Sequence, residues 1–280
     1  MNNFIVRTIT SVFFVVAIVV SFVNPLAMVF LFTLVTGMTI WEFVGLVNER
    51  PFVQVNRFIS SVAGAYLFLA MAGHCSGRVT SDTVFIPYLI TIIYLLVAEL
   101  YLKAKDPLND WAYTMLPQLY IALPFSMLGV LAFPAEGQYS PVLPLSIFVF
   151  LWMNDAGAYC IGSLLGRHKL FPRISPGKSW EGSIGGGLLA IATAVLAWHL
   201  LGIYAPDEPN LTVWQWMGLA LTVVIFGTWG DLVESLFKRT LGIKDSGNIL
   251  PGHGGMLDRF DSSLLAIPAA VVYLFTLTLL

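Results

Sequence analysis

Apolar residues fall into nine long stretches along this chain, at about 4–23, 25–46, 58–76, 83–102, 111–133, 142–165, 183–203, 213–237 and 262–280. Short polar segments separate them. A helix needs about twenty apolar residues to cross the hydrocarbon of a bilayer. The pattern therefore predicts an all-α polytopic membrane protein with about nine transmembrane helices. The first two stretches are parted only by the Asn24-Pro25 turn signal. Arg7, the run 12–23 and Pro25-Leu26-Ala27 have the outline of a signal peptide. The run is long and further spans follow, so an uncleaved first helix is expected.

Composition agrees with the pattern. Of 280 residues, 58% are hydrophobic and 11% charged, whereas a soluble domain carries about a quarter charged residues. So few charges would not cover a water-soluble globule. The net charge of −2 says nothing about partners, but its placement does. If loops alternate sides, one face receives Arg7, Arg50, Arg57, Lys103, Lys105, Arg167, Lys169, Arg173, Lys178, Lys238, Arg239, Lys244 and Arg259, leaving only Arg78 opposite. By the positive-inside rule the rich face is cytoplasmic. The N-terminus is then inside and the C-terminus outside. Cys75 and Cys160 each stand alone in apolar surroundings and read as packing residues.

One integral membrane domain, 1–280, is expected. Its helical half, 1–135, is generic. The half 142–280 carries two polar loops, 166–182 and 238–261, whose cations are interleaved with acids, glycines and serines. Asp231, Ser235 and Lys238 recur at i, i+4 and i+7, one face of a helix. A carboxylate inside a span is costly unless paired, hydrated or bound to a cation. Asp231 is open to two readings, an ion pair with Lys238 or a ligand to a cation. Gly252, Gly254 and Gly255 allow backbone amides close to an anion. Asp258 and Asp261 start the ninth span, where they would serve equally as Mg²⁺ ligands or as helix caps.

Loop 166–182 adds Arg167, Lys169, Arg173 and Lys178 with the hydroxyls of Ser175 and Ser179, an inventory suited to a nucleoside triphosphate or an anionic head group. Asn154 and Asp155 lie inside the sixth span. Function is the default for a carboxylate there, and a buried hydrogen bond to a neighbouring helix is the alternative. His74, His168 and His199 show no ligand spacing. There is no P-loop and no H-E-x-x-H.

Ser235-Leu-Phe-Lys238-Arg239, Lys244-Asp245 and His253-Gly-Gly-Met-Leu-Asp258-Arg259-Phe-Asp261 together resemble the C-terminal signature of the phosphatidate cytidylyltransferases, or CDP-diacylglycerol synthases. Ser175-Pro-Gly-Lys178-Ser-Trp-Glu181-Gly182 and Asn154-Asp155-Ala-Gly-Ala-Tyr159 also look like this family, so the resemblance covers roughly 150–262.

It implies transfer of a cytidylyl group from CTP to phosphatidic acid, with membrane lipid as the setting and no nucleic acid partner. It also implies a multi-pass protein of the inner (cytoplasmic) membrane whose active site faces the cytoplasm. Asp231 and Asp258 would be Mg²⁺ ligands, with Asp261 and Ser235 close by and room for a second cation. Lys178, Lys238, Arg239, Lys244 and Arg259 would neutralise phosphates, and Ser175, Asp245, His253, Asn154 and Asp155 complete the expected substrate-binding set. A homodimer is compatible with all of this, and the sequence leaves the oligomeric state open.

A transporter using Asp155, Asp231 and Glu234 is the main rival. It would be expected to show polarity across the bilayer and repeated halves, but here polarity is confined to one face of the C-terminal half. The same chemistry on another lipid phosphate is a second rival, because residues contacting acyl chains are unspecific.

Overall fold

The computed structural model describes residues 3–135, 137–205, 211–247 and 254–277, with side chains from Thr10 onward. His253 and Gly252 lie outside the described residues. The helices are α1 (Asn3–Ser21), α2 (Pro25–Val47), α3 (Arg57–Cys75), α4 (Ile86–Leu102), α5 (Pro107–Pro117), α6 (Leu123–Ala132), α7 (Val142–Leu165), α8 (Trp180–Tyr204), α9 (Val213–Thr240) and α10 (Leu257–Thr276).

Each apolar stretch coincides with a helical run. Among the described residues eight such runs are long and apolar enough to cross a bilayer, and α1 is apolar over Thr10–Ser21. The Asn24-Pro25 signal works as anticipated. The Asn24 side chain accepts from the Leu26 amide at 2.8 Å while Pro25 opens α2, the position where its missing N–H costs nothing. The fifth stretch is broken. A π-turn, Gln118–Ala122, joins α5 to α6 between Pro117 and Pro124. Proline donates no helical hydrogen bond, and the local widening accommodates the carbonyls it leaves.

One departure from an all-helical chain occurs in loop 166–182. It folds into an antiparallel hairpin of β1 (Lys169–Phe171) and β2 (Ser175–Ser179), pairing Lys169 with Ser179 and Phe171 with Ser175. Cys160, expected in the packing, is exposed, and Cys75 is half-buried.

The chain divides into two compact units. The first holds residues 1–139 together with 240–260, and the second holds 140–239 with 261–280. Loop 240–260 thus groups with the N-terminal half, which the sequence had marked as generic. The first unit is centred on buried phenylalanines. Phe32 packs against Phe22, Phe68, Phe125 and Phe260 with ring centroids 5.5, 6.3, 6.1 and 6.2 Å away.

In the second unit α7 and α8 form the most extensive helix pair. Glycine makes their approach possible: a Cβ on Gly157 would stand 2.9 Å from the Gly186 Cα, and one on Gly182 2.9 Å from the Ala158 carbonyl oxygen. Lipid gives apolar helices little hydrophobic reason to associate. Close backbone packing across small residues supplies the attraction instead.

Candidate active site

The second unit builds its polar centre from the hairpin outward. Ser179 ends β2 and caps α8, its hydroxyl accepting from the Gly182 amide at 3.2 Å. Glu181, in the first turn of α8, reaches back to the residues just before β1. Its carboxylate accepts from the Arg167 and His168 amides, each at 3.2 Å, and meets His168 Nδ1 at 2.6 Å. The His168 carbonyl in turn accepts from the Trp180 amide at 2.9 Å. These bonds clamp both ends of the hairpin to one helix terminus. His168, expected to be a bystander, is part of the clamp.

The hairpin's product is the placement of Lys178. Its Nζ lies 2.6 Å from Asp231 Oδ2 on α9. Ser235, one turn further along, donates to Asp231 Oδ1 at 3.1 Å. The i, i+4 relation of Asp231 and Ser235 is as the spacing predicts. The cation is not. Lys238 pairs with the buried Glu234 at 2.7 Å, and Asp231 takes its lysine from the hairpin. Glu234, considered at first only in the transport reading, belongs to the centre of the cluster. Asp231, Glu234 and Asp261 each offer a carboxylate oxygen within 4.8 Å of the others. Asp155 on α7 is near enough to Asp261 to interact with it electrostatically.

Three formal negative charges in so small a space repel one another, and hard oxygen donors are the set that Mg²⁺ prefers. The donor chemistry therefore fits a divalent cation, with Lys178 and Lys238 at the edge of the cluster.

Two hollows lie in the same unit, and Lys178, the partner of Asp231, lines one of them. A polar cavity of about 420 Å³ is lined by Asn154, Asp155, Tyr159, Lys178 and Ser179 among others. The Asn154 Oδ1 is buried and has no hydrogen-bond partner among the described residues. An apolar groove of about 440 Å³ runs between α8 and α9, lined by residues such as Ile184, Leu188, Leu221, Ile225 and Trp229. Ser183 and Thr228 line both hollows, so the two are neighbours. Neither residue was anticipated, since a serine and a threonine in apolar spans carry no distinctive spacing.

The first unit holds the other half of the signature. Asp258, at the start of α10, accepts from the Ser246 amide and the Gly255 amide, each at 2.8 Å, and its Oδ2 lies 2.9 Å from the Ser246 hydroxyl oxygen. The Gly255 amide thus turns to a carboxylate of the protein itself. Gly254 has φ +79°, and a Cβ there would strike Asp258 Oδ2. Lys244 and Asp245 are exposed in the loop, as is Arg239 at the end of α9. Arg259 is half-buried, with its Nε lacking a partner among the described residues. Ser175 lies at the start of β2, half-buried.

The chain matches the model of the cytidylyltransferase family over residues 5–277. It is 36% identical over 222 residues to a phosphatidate cytidylyltransferase of Staphylococcus aureus, covering 79% of this chain and 80% of the relative. The protein of the same name from Staphylococcus saprophyticus is 30% identical over 264 residues, 94% of this chain and 96% of the relative. That from Haemophilus influenzae is 33% identical over 245 residues, 82% and 83%.

Proposed function

The chain belongs to the cytidylyltransferase family, and on that premise we propose that it transfers CMP from CTP to phosphatidic acid, forming CDP-diacylglycerol and pyrophosphate. A phosphate oxygen of the lipid attacks the α-phosphorus of CTP, and the bond to the β-phosphate oxygen breaks. The nucleophile is already an anion, so the reaction does not need a strong base. Its difficulty is the repulsion between two phosphates and the charge that gathers on the leaving pyrophosphate. Fixed cations and a metal ion address both.

One observation carries the reading: the polar cavity holding Lys178 and the apolar groove are neighbours that share Ser183 and Thr228 in their linings. A molecule with a phosphate at one end and an acyl chain at the other has the shape of that pair of hollows. Mg²⁺ is assigned to the cluster of Asp231, Glu234 and Asp261, with Asp258 kept as a further candidate ligand. When bound it would screen the phosphates and stabilise the departing one. Lys178, Lys238, Arg239, Lys244 and Arg259 supply the protein's own positive charge. Purified protein given CTP, phosphatidate and Mg²⁺ should release pyrophosphate in step with lipid-linked CMP, and folded protein that releases neither would refute the assignment.

The same reading places nine spans in the inner membrane with the N-terminus and both signature loops in the cytoplasm. This orientation is checked in a background lacking Cys75 and Cys160. An impermeant maleimide added to intact cells should label Arg78→Cys and leave Arg173→Cys unlabelled until the membrane is opened.

A further inference from the structure

A carboxylate on α2 is bonded to the loop before α10 and to the first residue of α10, next to Asp258. Glu42 is 5% exposed. Its Oε1 accepts from the Ser246 hydroxyl and, at 3.0 Å, from the Leu257 amide, while Oε2 accepts from the Met256 amide at 2.9 Å. The partners lie more than 200 residues away in sequence, at separations of 204 to 215. Two loop glycines leave the room it needs. A Cβ on Gly247 would stand 2.6 Å from Glu42 Oε2, and one on Gly255 would collide with the same carboxylate.

The amides of Met256 and Leu257 open α10, where helix geometry leaves N–H groups without internal partners. A buried orphan donor is costly, and a carboxylate at a helix N-terminus also complements the helix dipole. Glu42 therefore caps α10 from another helix. The Ser246 hydroxyl lies between the carboxylates of Glu42 and Asp258, within hydrogen-bond reach of both. Ser246 is thus a hydrogen-bonding neighbour shared by the two carboxylates.

From this we infer that Glu42 is a positioning residue for the transfer reaction: it fixes the start of α10, and through Ser246 the orientation of the Asp258 carboxylate. The inference rests on the cytidylyl-transfer reading for its kinetic consequence, while the tether itself has a readout independent of activity. Glu42→Gln keeps the shape but sets an NH2 group against donors, and a small misplacement of a reacting constellation costs on the order of a hundredfold in rate.

The test compares wild type, Glu42→Gln and Glu42→Asp in the same detergent. Glu42→Gln should lower kcat by roughly 10- to 100-fold with KM for phosphatidate within about twofold, and Glu42→Asp should fall between it and wild type. Amide hydrogen exchange at 255–258 should quicken in Glu42→Gln. Thr39→Val, which removes a buried hydroxyl bonded within α2 to the Val35 carbonyl, should leave kcat and that exchange unchanged. If Glu42→Gln does not fold, Ser246→Ala breaks the tether from the loop side and should show the same kcat-selective loss. Unchanged exchange and kcat, or a loss confined to thermal stability, overturns the inference. Wild-type protein without CMP transfer but with the expected exchange difference overturns the functional reading instead and leaves the tether standing.

Discussion

Lys178 on the hairpin strand β2 and Asp231 on α9 meet at 2.6 Å, with side chains about one-quarter and one-third exposed. A pair that open is accessible to substrate, and its lysine need only swing from a carboxylate to a phosphate. Lys178→Ala should lower kcat by about 10²- to 10³-fold, the usual effect of removing one fixed stabiliser of developing charge. Lys178→Arg should retain more activity. Steady-state rates on protein that elutes as wild type from a size-exclusion column check this.

Asp231→Asn and Asp258→Asn should each abolish turnover while the protein still inserts in the membrane. If Asp231→Asn runs near the wild-type rate, the metal cluster is wrongly assigned, and if Asp258→Asn does, Asp258 falls as a candidate ligand. Asp261→Asn should raise the Mg²⁺ concentration needed for half-maximal rate, because it withdraws one oxygen ligand from the cluster. Chelation with EDTA should stop wild-type turnover, and Mg²⁺ should restore it.

Filling the groove should discriminate between lipid chain lengths. A Cβ on Gly187 finds only an ordinary contact, 3.6 Å to Val224 Cγ1, so Gly187→Leu projects bulk into the groove without a clash at its root. Turnover of a long-chain phosphatidate should drop at least about tenfold, equal to 1.36 kcal/mol in barrier. A short-chain, water-soluble phosphatidate should be turned over almost as before. Equal losses with both substrates would place the acyl chain elsewhere.

The α7–α8 contact should tolerate no added volume. Gly157→Val puts carbon against the Gly186 backbone, and overpacking of this kind costs about 1–3 kcal/mol. A lowered melting temperature in detergent is the expected result, with Gly177→Ala, where a Cβ meets nothing within 4 Å, as the neutral comparison.

Much of this architecture was readable from the chain because a bilayer imposes a single, crude length requirement. Nine apolar stretches became helical runs within a few residues of their expected bounds. The break at Gln118–Ala122 was not foreseen, since Pro117 and Pro124 are common in membrane helices and do not announce how the backbone will adjust. The hairpin escaped notice because strands of three and five residues leave almost no pattern.

In the site, spacing found Asp231 and Ser235 because both sit on one helix. It missed Lys178 as the partner of Asp231, and Glu42 as the partner of Ser246, because those contacts join elements far apart in sequence. The one available hint was Glu42 itself, a carboxylate near the end of an apolar span, whose burial demands donors from somewhere.

The central claim is that the α-phosphate of CTP moves to the lipid. Two parallel reactions test it most directly, one with CTP labelled at the α-phosphorus and one with CTP labelled at the γ-phosphorus, each with phosphatidate and Mg²⁺ and the folded protein. The account predicts α-label in the organic phase as CDP-diacylglycerol and γ-label in the aqueous phase as pyrophosphate. Label from the γ-position in the lipid, or none in the lipid from either position, would contradict it.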